Sequence, residues 1–489
     1  MQTDVPESRV SVLTDAEVDP DGQYILYWMT SQRRTKHNFA LQRAVDWARH
    51  VGRGLLVLEA LRCDYEWASE RHHRFVLDGM VDNLAALRGR DGVTYYPFVE
   101  SSVGEGKGLL DALAESAAVV VTDDFPTFFT PRMLEATARR LGTRLEAVDS
   151  NGLVPMRGTE KVYPSAYTFR RYLQKVIPSQ LEQVPLEDPV SGLARLERPT
   201  VPAPILARWL SAEVDLESGG PDLGSLPLDH SVLSTHLRGG GQAAADRLDD
   251  FLRRALSRYA AERSQPDEDV ASGLSPYLHF GHISTHTILA RLAAHEDWLP
   301  DLDGRPTHGK RSGWWGMSPP AEAFLDELVT WRELGFNMAA LRSDHREYDS
   351  LPDWARKTLA EHASDPRPYL YSFEQLDGAS THDELWNAAQ RQLRREGVIQ
   401  NYLRMLWGKK ILKWTASPRE AARFMIELNN RYALDGRDPN SYSGIYWCLG
   451  RYDRPWGPER PVFGKIRYMT SANTARKLRV REYMERFAR

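Results

Sequence analysis

Cysteine is nearly absent: the 489 residues hold two, Cys63 and Cys448. Two thiols exclude a disulfide scaffold and a cysteine-built zinc cluster, and they suit a reducing compartment. No metal site is expected. No apolar run approaches the roughly 20 residues that a membrane span needs, so no membrane partner is expected. The opening MQTDVPESRVSV has neither the basic nor the apolar stretch of a secretory leader. The expectation is an unsecreted protein, cytoplasmic or, in a eukaryote, nuclear. Nucleotide fingerprints are also missing. The glycine-rich VGEGKG (103–108) lacks the Gly-Lys-Ser/Thr of a P-loop and the GxGxxG spacing, and reads as a plain loop. There is no internal repeat. Nor is there an excess of positive charge: the net of −4 speaks, taken whole, against a nucleic-acid binder.

What is present is ordinary in bulk, 42% hydrophobic and 27% charged, as in globular domains. The length suggests two to four domains of about 100–200 residues each. From residue 24 to 150, short apolar runs alternate with amphipathic stretches. YILYWM (24–29), LLVLEAL (55–61), TYYPFVE (94–100) and AVVVTDD (118–124) read as strands. LQRAVDWARHVG (41–52), RFVLDGMVDNLAALRGR (74–90) and LLDALAESA (109–117) read as helices, with Gly52 a C-cap, and MLEATARRLGTRLEAV (133–148) gives a fourth helix, then another strand. That alternation predicts an α/β, doubly wound parallel-sheet domain. Asp123, Asp124 and Phe125 sit where such sheets bind ligands. From 151 to 205 prolines break the pattern, which reads as a linker. From 206 to 489 nearly everything reads as helix, apart from the loop DLDGRPTHGKRSGWWGMSPP (301–320).

Charge and indoles are unevenly spread. From Arg451 to Arg489 there are 11 Lys/Arg against 4 Asp/Glu, about +7, which leaves about −11 for the rest. Trp456, Phe463, Tyr468 and Met469 are interleaved with those charges, which suggests a basic face rather than a solvated tail. Eleven of the 14 tryptophans fall between Trp209 and Trp456, more than packing requires.

The chain is organised around THDELWNAAQRQLRREGVIQNYLRMLWGKKILKW (381–414), two helices broken at Gly397. Arg404 lies among apolar neighbours, where a charge is costly unless paired. Trp407 and Trp414 are seven apart and share a helix face at about 10 Å. The pattern fits either a packed core helix with a snorkelling arginine or a site for a large, polarisable, redox-active ligand. AFLDELVTWRELGFNM (323–338) is an amphipathic helix with Glu327 beside Trp331, a carboxylate that could bind a ring N–H next to an indole that could stack on it. LNNRYALDGRDPNSY (428–442) has turn chemistry and offers Asp435 as a partner for Arg404, with Asn429 close in sequence. SGLSPYLHFGHIS (272–284) contains HFGH, which is similar to an ATP-binding signature of adenylate-forming synthetases. Here it sits in the helical half with no companion loop, and a helix start capped by a hydroxyl is the plainer reading.

Taken together, YWM (27–29), VTDDFP (121–126), LSPYLHFG (274–281), the Glu327/Trp331 helix, YDSLPDWARKTL (348–359), THDELWNAAQ, RMLWGKKILKW, LDGRDPN (434–440) and ERPVFGKIRYM (459–469) resemble the cryptochrome/photolyase family. The likeness is greatest to its class II cyclobutane-dimer branch, and runs from about 24 to 480. It implies an antenna-type domain at 24–150, a linker at 151–205 and an all-α FAD- and lesion-binding domain at 206–489. It implies FAD held by Tyr259, the Gly239–Gly241 turn (Gly240 and Gly241 above all), Leu274, Ser275, Leu278 and His279. Arg404, Asn429 and Asp435 would form the polar set, with Asp438 and Asn440 nearby. Trp407 and Trp386, with Trp414 adjacent, would carry electrons inward from the surface. Glu327, Trp331, Met405 and Trp447 would line the dimer pocket, and Arg263, Arg454, Trp456 and Arg467 would contact DNA. The partner implied is UV-damaged duplex DNA with the lesion flipped out, met by a monomer. The activity implied is light-driven dimer repair by electron transfer from reduced FAD, the alternative being a blue-light photoreceptor. A deazaflavin-type antenna is the expectation for this branch. The chain departs from the pattern at Ile399-Gln400-Asn401, at Arg263-Ser264-Gln265, and at Trp331, where an arginine is usual.

Overall fold

The structure is a computed structural model that describes residue 1 and residues 3–488. Its contacts divide the chain into two units interleaved in sequence. The first comprises Met1–Thr159, Val176–Asp249 and Gly273–Pro300; the second comprises Glu160–Lys175, Asp250–Ser272 and Asp301–Arg489. The expected bounds at 150 and 205 are linear, whereas these units interleave.

The first unit is built on a six-stranded sheet: β1 (Val10–Val12), β2 (Tyr24–Met29), β3 (Leu55–Leu61), β4 (Val93–Val99), β5 (Ala117–Asp123) and β6 (Leu145–Val148), in the order β1-β6-β5-β2-β3-β4. All neighbours pair in parallel except β1 with β6. In β2 the odd positions Ile25, Tyr27 and Met29 pack with the helices Phe39–Val51 and Glu70–Leu87. The even positions Tyr24, Leu26 and Trp28 pack on the other face with Leu109, Leu110 and Leu113. Both faces are covered, so the strand reads as an unbroken apolar run. Asn38 caps the first of these helices through the Ala40 and Leu41 amides, and Gly52 ends it in the left-handed region at φ 72°.

Two elements depart from expectation. The three-residue edge strand β1 is too short for a period to show. The supposed linker contains the helix Ala166–Gln180, whose internal Pro178 disguised it. Among the described residues no helix is long and apolar enough to cross a membrane, and no cluster of His, Cys, Asp and Glu could hold a metal.

Buried histidines tie the first unit to pH. Burial pushes His282 down to about 3 and His73 down to about 4, from an ordinary value of 6.5. The unfolded chain takes up these protons first, so stability is whole above pH 6.5 and falls as pH drops toward about 4. Melting temperature should fall by several degrees across that window, with a shallower slope for His282→Gln. Thermal denaturation at stepped pH checks it; a pH-independent melting temperature contradicts it.

Candidate active site

Of the residues singled out above, Asp123, Asp124, Phe125, Gly239, Gly240, Gly241, Leu274, Ser275, Leu278 and His279 belong to the first unit, and Tyr259, Arg263 and the candidate residues from Glu327 onward to the second.

In the first unit, the Gly239–Gly241 turn is pressed onto the helix Glu70–Leu87. A Cβ on Gly239 would stand 1.9 Å from the Phe75 carbonyl oxygen, and Gly240 has φ +95°. The Gly239 amide donates to Asp78 (2.9 Å) and the Gly240 amide to His282 Nδ1 (2.9 Å). The second histidine of HFGH is thus spent on the turn. Leu274 is buried, Ser275 is exposed, and Leu278 and His279 are half-buried. The helix Ser275–His279 lacks a side-chain cap.

The strand-end residues of this unit are engaged internally. Asp123 accepts from Tyr27 Oη and the Thr30, Ser31 and Gln32 amides at 2.8–3.0 Å. Asp124 pairs with Arg157, and burial pushes its carboxyl up to about 6. In VGEGKG the Gly106 amide goes to Glu100 (3.0 Å), and Glu105 ties back to Ser101 (2.7 Å). A loop braced by carboxylates makes a poor phosphate cradle.

In the second unit, the helix Asn401–Trp414 carries Arg404, whose Nη2 donates to both oxygens of Asp435 at 2.9 and 3.2 Å. Among the described residues its Nε and Nη1 meet no acceptor, so most of the donor fork is open to a ligand. Asn429, buried on the helix Pro418–Tyr432, donates to Ser441 Oγ (2.7 Å). Asp438 caps the helix Pro439–Trp447 through the Asn440 amide (2.8 Å).

The same helix begins a file of buried indoles. Trp407 is 2% exposed, Trp386 0% and Trp414 1%. Trp407 Nε1 donates to Gln390 Oε1 at 2.8 Å, and Trp386 Nε1 to the Trp407 carbonyl at 3.1 Å. Trp386 and Trp414 meet edge to face, centroids 5.5 Å apart. The Trp407 and Trp386 N–H groups are both satisfied, which fixes those two rings in orientation.

Glu327 and Trp331 lie on a π-helical turn, Asp326–Trp331, set between the α-helices Pro319–Leu325 and Arg332–Leu341. The sequence suggested one continuous α-helix. Such insertions occur often at functional sites. Glu327 pairs with Arg263, and burial together with the Glu327 charge pushes the Tyr259 phenol up to about 12. Asp326 is held by Arg170 at 2.8 and 3.2 Å, which fixes the turn. Trp331, Met405 and Trp447 are half-buried.

At the basic end, cations and indoles alternate. Lys409 lies 5.2 Å over Trp447, Arg467 5.6 Å from Trp447 and 5.2 Å from Trp456, and Arg454 4.6 Å from Trp456. Lys409, Gln390 and the Arg263–Glu327 pairing escaped sequence reading. Lys409 is 0% exposed, donates to the Cys448 carbonyl at 2.7 Å, and is pushed down to about 8 by burial. Nothing in WGKK separates it from an exposed lysine. Gln390 could have been found, since it lies one helical turn after Trp386.

No protein-family model matches the chain. Whole-length relatives do. It is 34% identical to a deoxyribodipyrimidine photo-lyase of Methanothermobacter thermautotrophicus over 98% of this chain and 97% of that one. The like-named proteins of Arabidopsis thaliana (34%, covering 98% and 92%) and Potorous tridactylus (31%, covering 98% and 84%) are similar too. Among solved structures, a class III photolyase from Agrobacterium tumefaciens (TM-score 0.66, 18% identity, covering 95% and 86%) and a cryptochrome from Synechocystis (TM-score 0.66, 14% identity, covering 95% and 88%) share the fold. The chain belongs to the cryptochrome/photolyase family. It is an enzyme, a lyase of the photo-lyase type. Flavin is the cofactor that this family implies, and the donor set here fits it: an open guanidinium fixed by a carboxylate, with a buried amide on the neighbouring helix.

Proposed function

We propose that the chain reverses cyclobutane pyrimidine dimers in duplex DNA under blue light, as a class II-like photolyase. What supports this most is the buried file Trp407, Trp386 and Trp414, which begins on the helix that bears Arg404. Flavin, when bound, supplies a light-absorbing one-electron donor. The residues do the rest. Tyr259, Gly240, Gly241, Leu274, Ser275, Leu278, His279, Asp438 and Asn440 hold FAD. Arg404, oriented by Asp435, stabilises negative charge at the ring edge, and the Asn429 amide sets the hydrogen bonding there. Glu327 exchanges its bond with Arg263 for one to the flipped pyrimidine. Trp331, Met405 and Trp447 enclose the dimer. Arg454, Trp456 and Arg467 fill the space that the flipped nucleotide leaves, and the basic end grips phosphates without reading sequence. An antenna role for 24–150 with a deazaflavin-type chromophore, a linking role for 151–205, and FAD and DNA binding by a monomer's 206–489 belong to the same proposal.

Glu327→Ala should lower repair per bound lesion by roughly tenfold or more while leaving duplex affinity nearly unchanged. Single-turnover repair beside fluorescence-anisotropy binding checks it; equal repair per bound lesion removes the role. The test of the function itself is dimer reversal in an oligonucleotide under blue light. Flavin photoreduction without reversal would favour the photoreceptor reading.

A further inference from the structure

The indole file does not end at Trp414. Its ring meets Tyr371 edge to face at 5.3 Å and His382 at 5.4 Å. Tyr371 Oη lies 2.5 Å from His382 Nδ1 and also receives the His382 backbone N–H at 3.0 Å. The oxygen accepts from that amide, and the tautomer of His382 that carries its proton on Nε2 receives the phenol's own proton at Nδ1. Beyond the imidazole lies Tyr369, stacked on it at 3.9 Å with 22° between planes, and 49% exposed. The Tyr371 amide donates to the Trp414 carbonyl at 3.0 Å, which fixes the segment against the end of the indole helix. Packing alone requires neither a phenol aimed at an imidazole nor a second phenol stacked in the open.

We propose that Tyr371 and His382 form a proton-coupled exit for the hole that the tryptophan file delivers, with Tyr369 as its solvent-facing cover. This rests on the electron-path reading of Trp407, Trp386 and Trp414. The step balances. A hole on Trp414 takes one electron from Tyr371; the phenolic O–H breaks and its proton passes to His382 Nδ1. Trp414 returns to neutral indole, Tyr371 becomes a neutral phenoxyl radical and His382 an imidazolium. A small one-electron reductant from solution, such as a thiolate, then restores the phenol with the proton that His382 holds, and leaves as its own radical. Lys410, 5.3 Å over the Trp414 ring and 2.7 Å from Asp383, disfavours a cation resting on that indole and so favours passage to Tyr371.

Transient absorption and electron paramagnetic resonance after a blue flash on the flavin-loaded protein test this. A tryptophanyl signal should convert to a tyrosyl one, more slowly in D2O. Tyr371→Phe, which removes only a hydroxyl, should abolish the tyrosyl signal. His382→Phe should slow its appearance by about tenfold, the rate equivalent of one hydrogen bond. A tyrosyl signal unchanged in Tyr371→Phe, or none in the parent, overturns the exit and leaves this cluster as packing. If no tryptophanyl signal arises from the flash, the electron path has failed. Azide radicals made by pulse radiolysis oxidise indoles without flavin, and then decide the exit separately. Tyrosyl formation lower in Tyr371→Phe than in the parent supports it, and equal formation overturns it.

Discussion

Trp407→Phe should abolish photoreduction of the bound flavin, by orders of magnitude in rate, while FAD stays bound. Trp407 is buried on the helix that carries Arg404, and its indole N–H is fixed by Gln390 at 2.8 Å. Phenylalanine fills most of the same space and leaves Gln390 with an unmade bond, worth about 1 kcal/mol, so the fold persists. What is lost is an easily oxidised ring at the start of the file. Trp386→Phe should behave alike, because Trp386 lies between Trp407, through its carbonyl at 3.1 Å, and Trp414, at 5.5 Å. Photoreduction under steady blue light with an external thiol, followed by flavin absorbance, checks both. A variant that photoreduces as fast as the parent would falsify the electron path.

Asp435→Asn should weaken FAD retention and lower stability together. The Arg404–Asp435 pair is mostly shielded, with side chains 16% and 14% exposed. Removal of the carboxylate leaves a shielded guanidinium without its counter-charge, a loss of about 1–3 kcal/mol at this partial exposure. The neutral amide can still accept a hydrogen bond but no longer fixes the direction of the fork. Flavin retained through gel filtration, and the melting temperature of the loaded protein, are the readouts. A variant that keeps its flavin and melts with the parent would mean that Asp435 does not position Arg404.

The sheet was legible because both of its faces are covered. YILYWM (24–29), LLVL (55–58) and AVVV (118–121) are apolar at every position, which water would not tolerate on an open sheet. β1 was not legible, since three residues at an edge carry no period. The pairing of Arg404 with Asp435 could be anticipated, because a charge on an apolar helix needs a partner and a turn 31 residues on offered one. Sequence spacing could not show that Arg263 meets Glu327, or that Lys409 is sealed under Trp447. Both depend on how separate helices approach, and a lysine in WGKK looks the same buried or exposed. The π-helical turn at Asp326–Trp331 was hidden for another reason: one inserted residue leaves the apolar pattern of a helix nearly intact.

Everything functional turns on whether flavin in this chain drives reversal of a dimer. The direct measurement is blue-light treatment of the flavin-loaded, fully reduced protein with an oligonucleotide bearing one cyclobutane dimer, read by recovery of the undamaged strand. The account predicts light-dependent recovery with no net oxidation of the protein, and none in the dark. A protein that binds no flavin on reconstitution, or that holds reduced flavin and leaves the dimer intact under light, contradicts it.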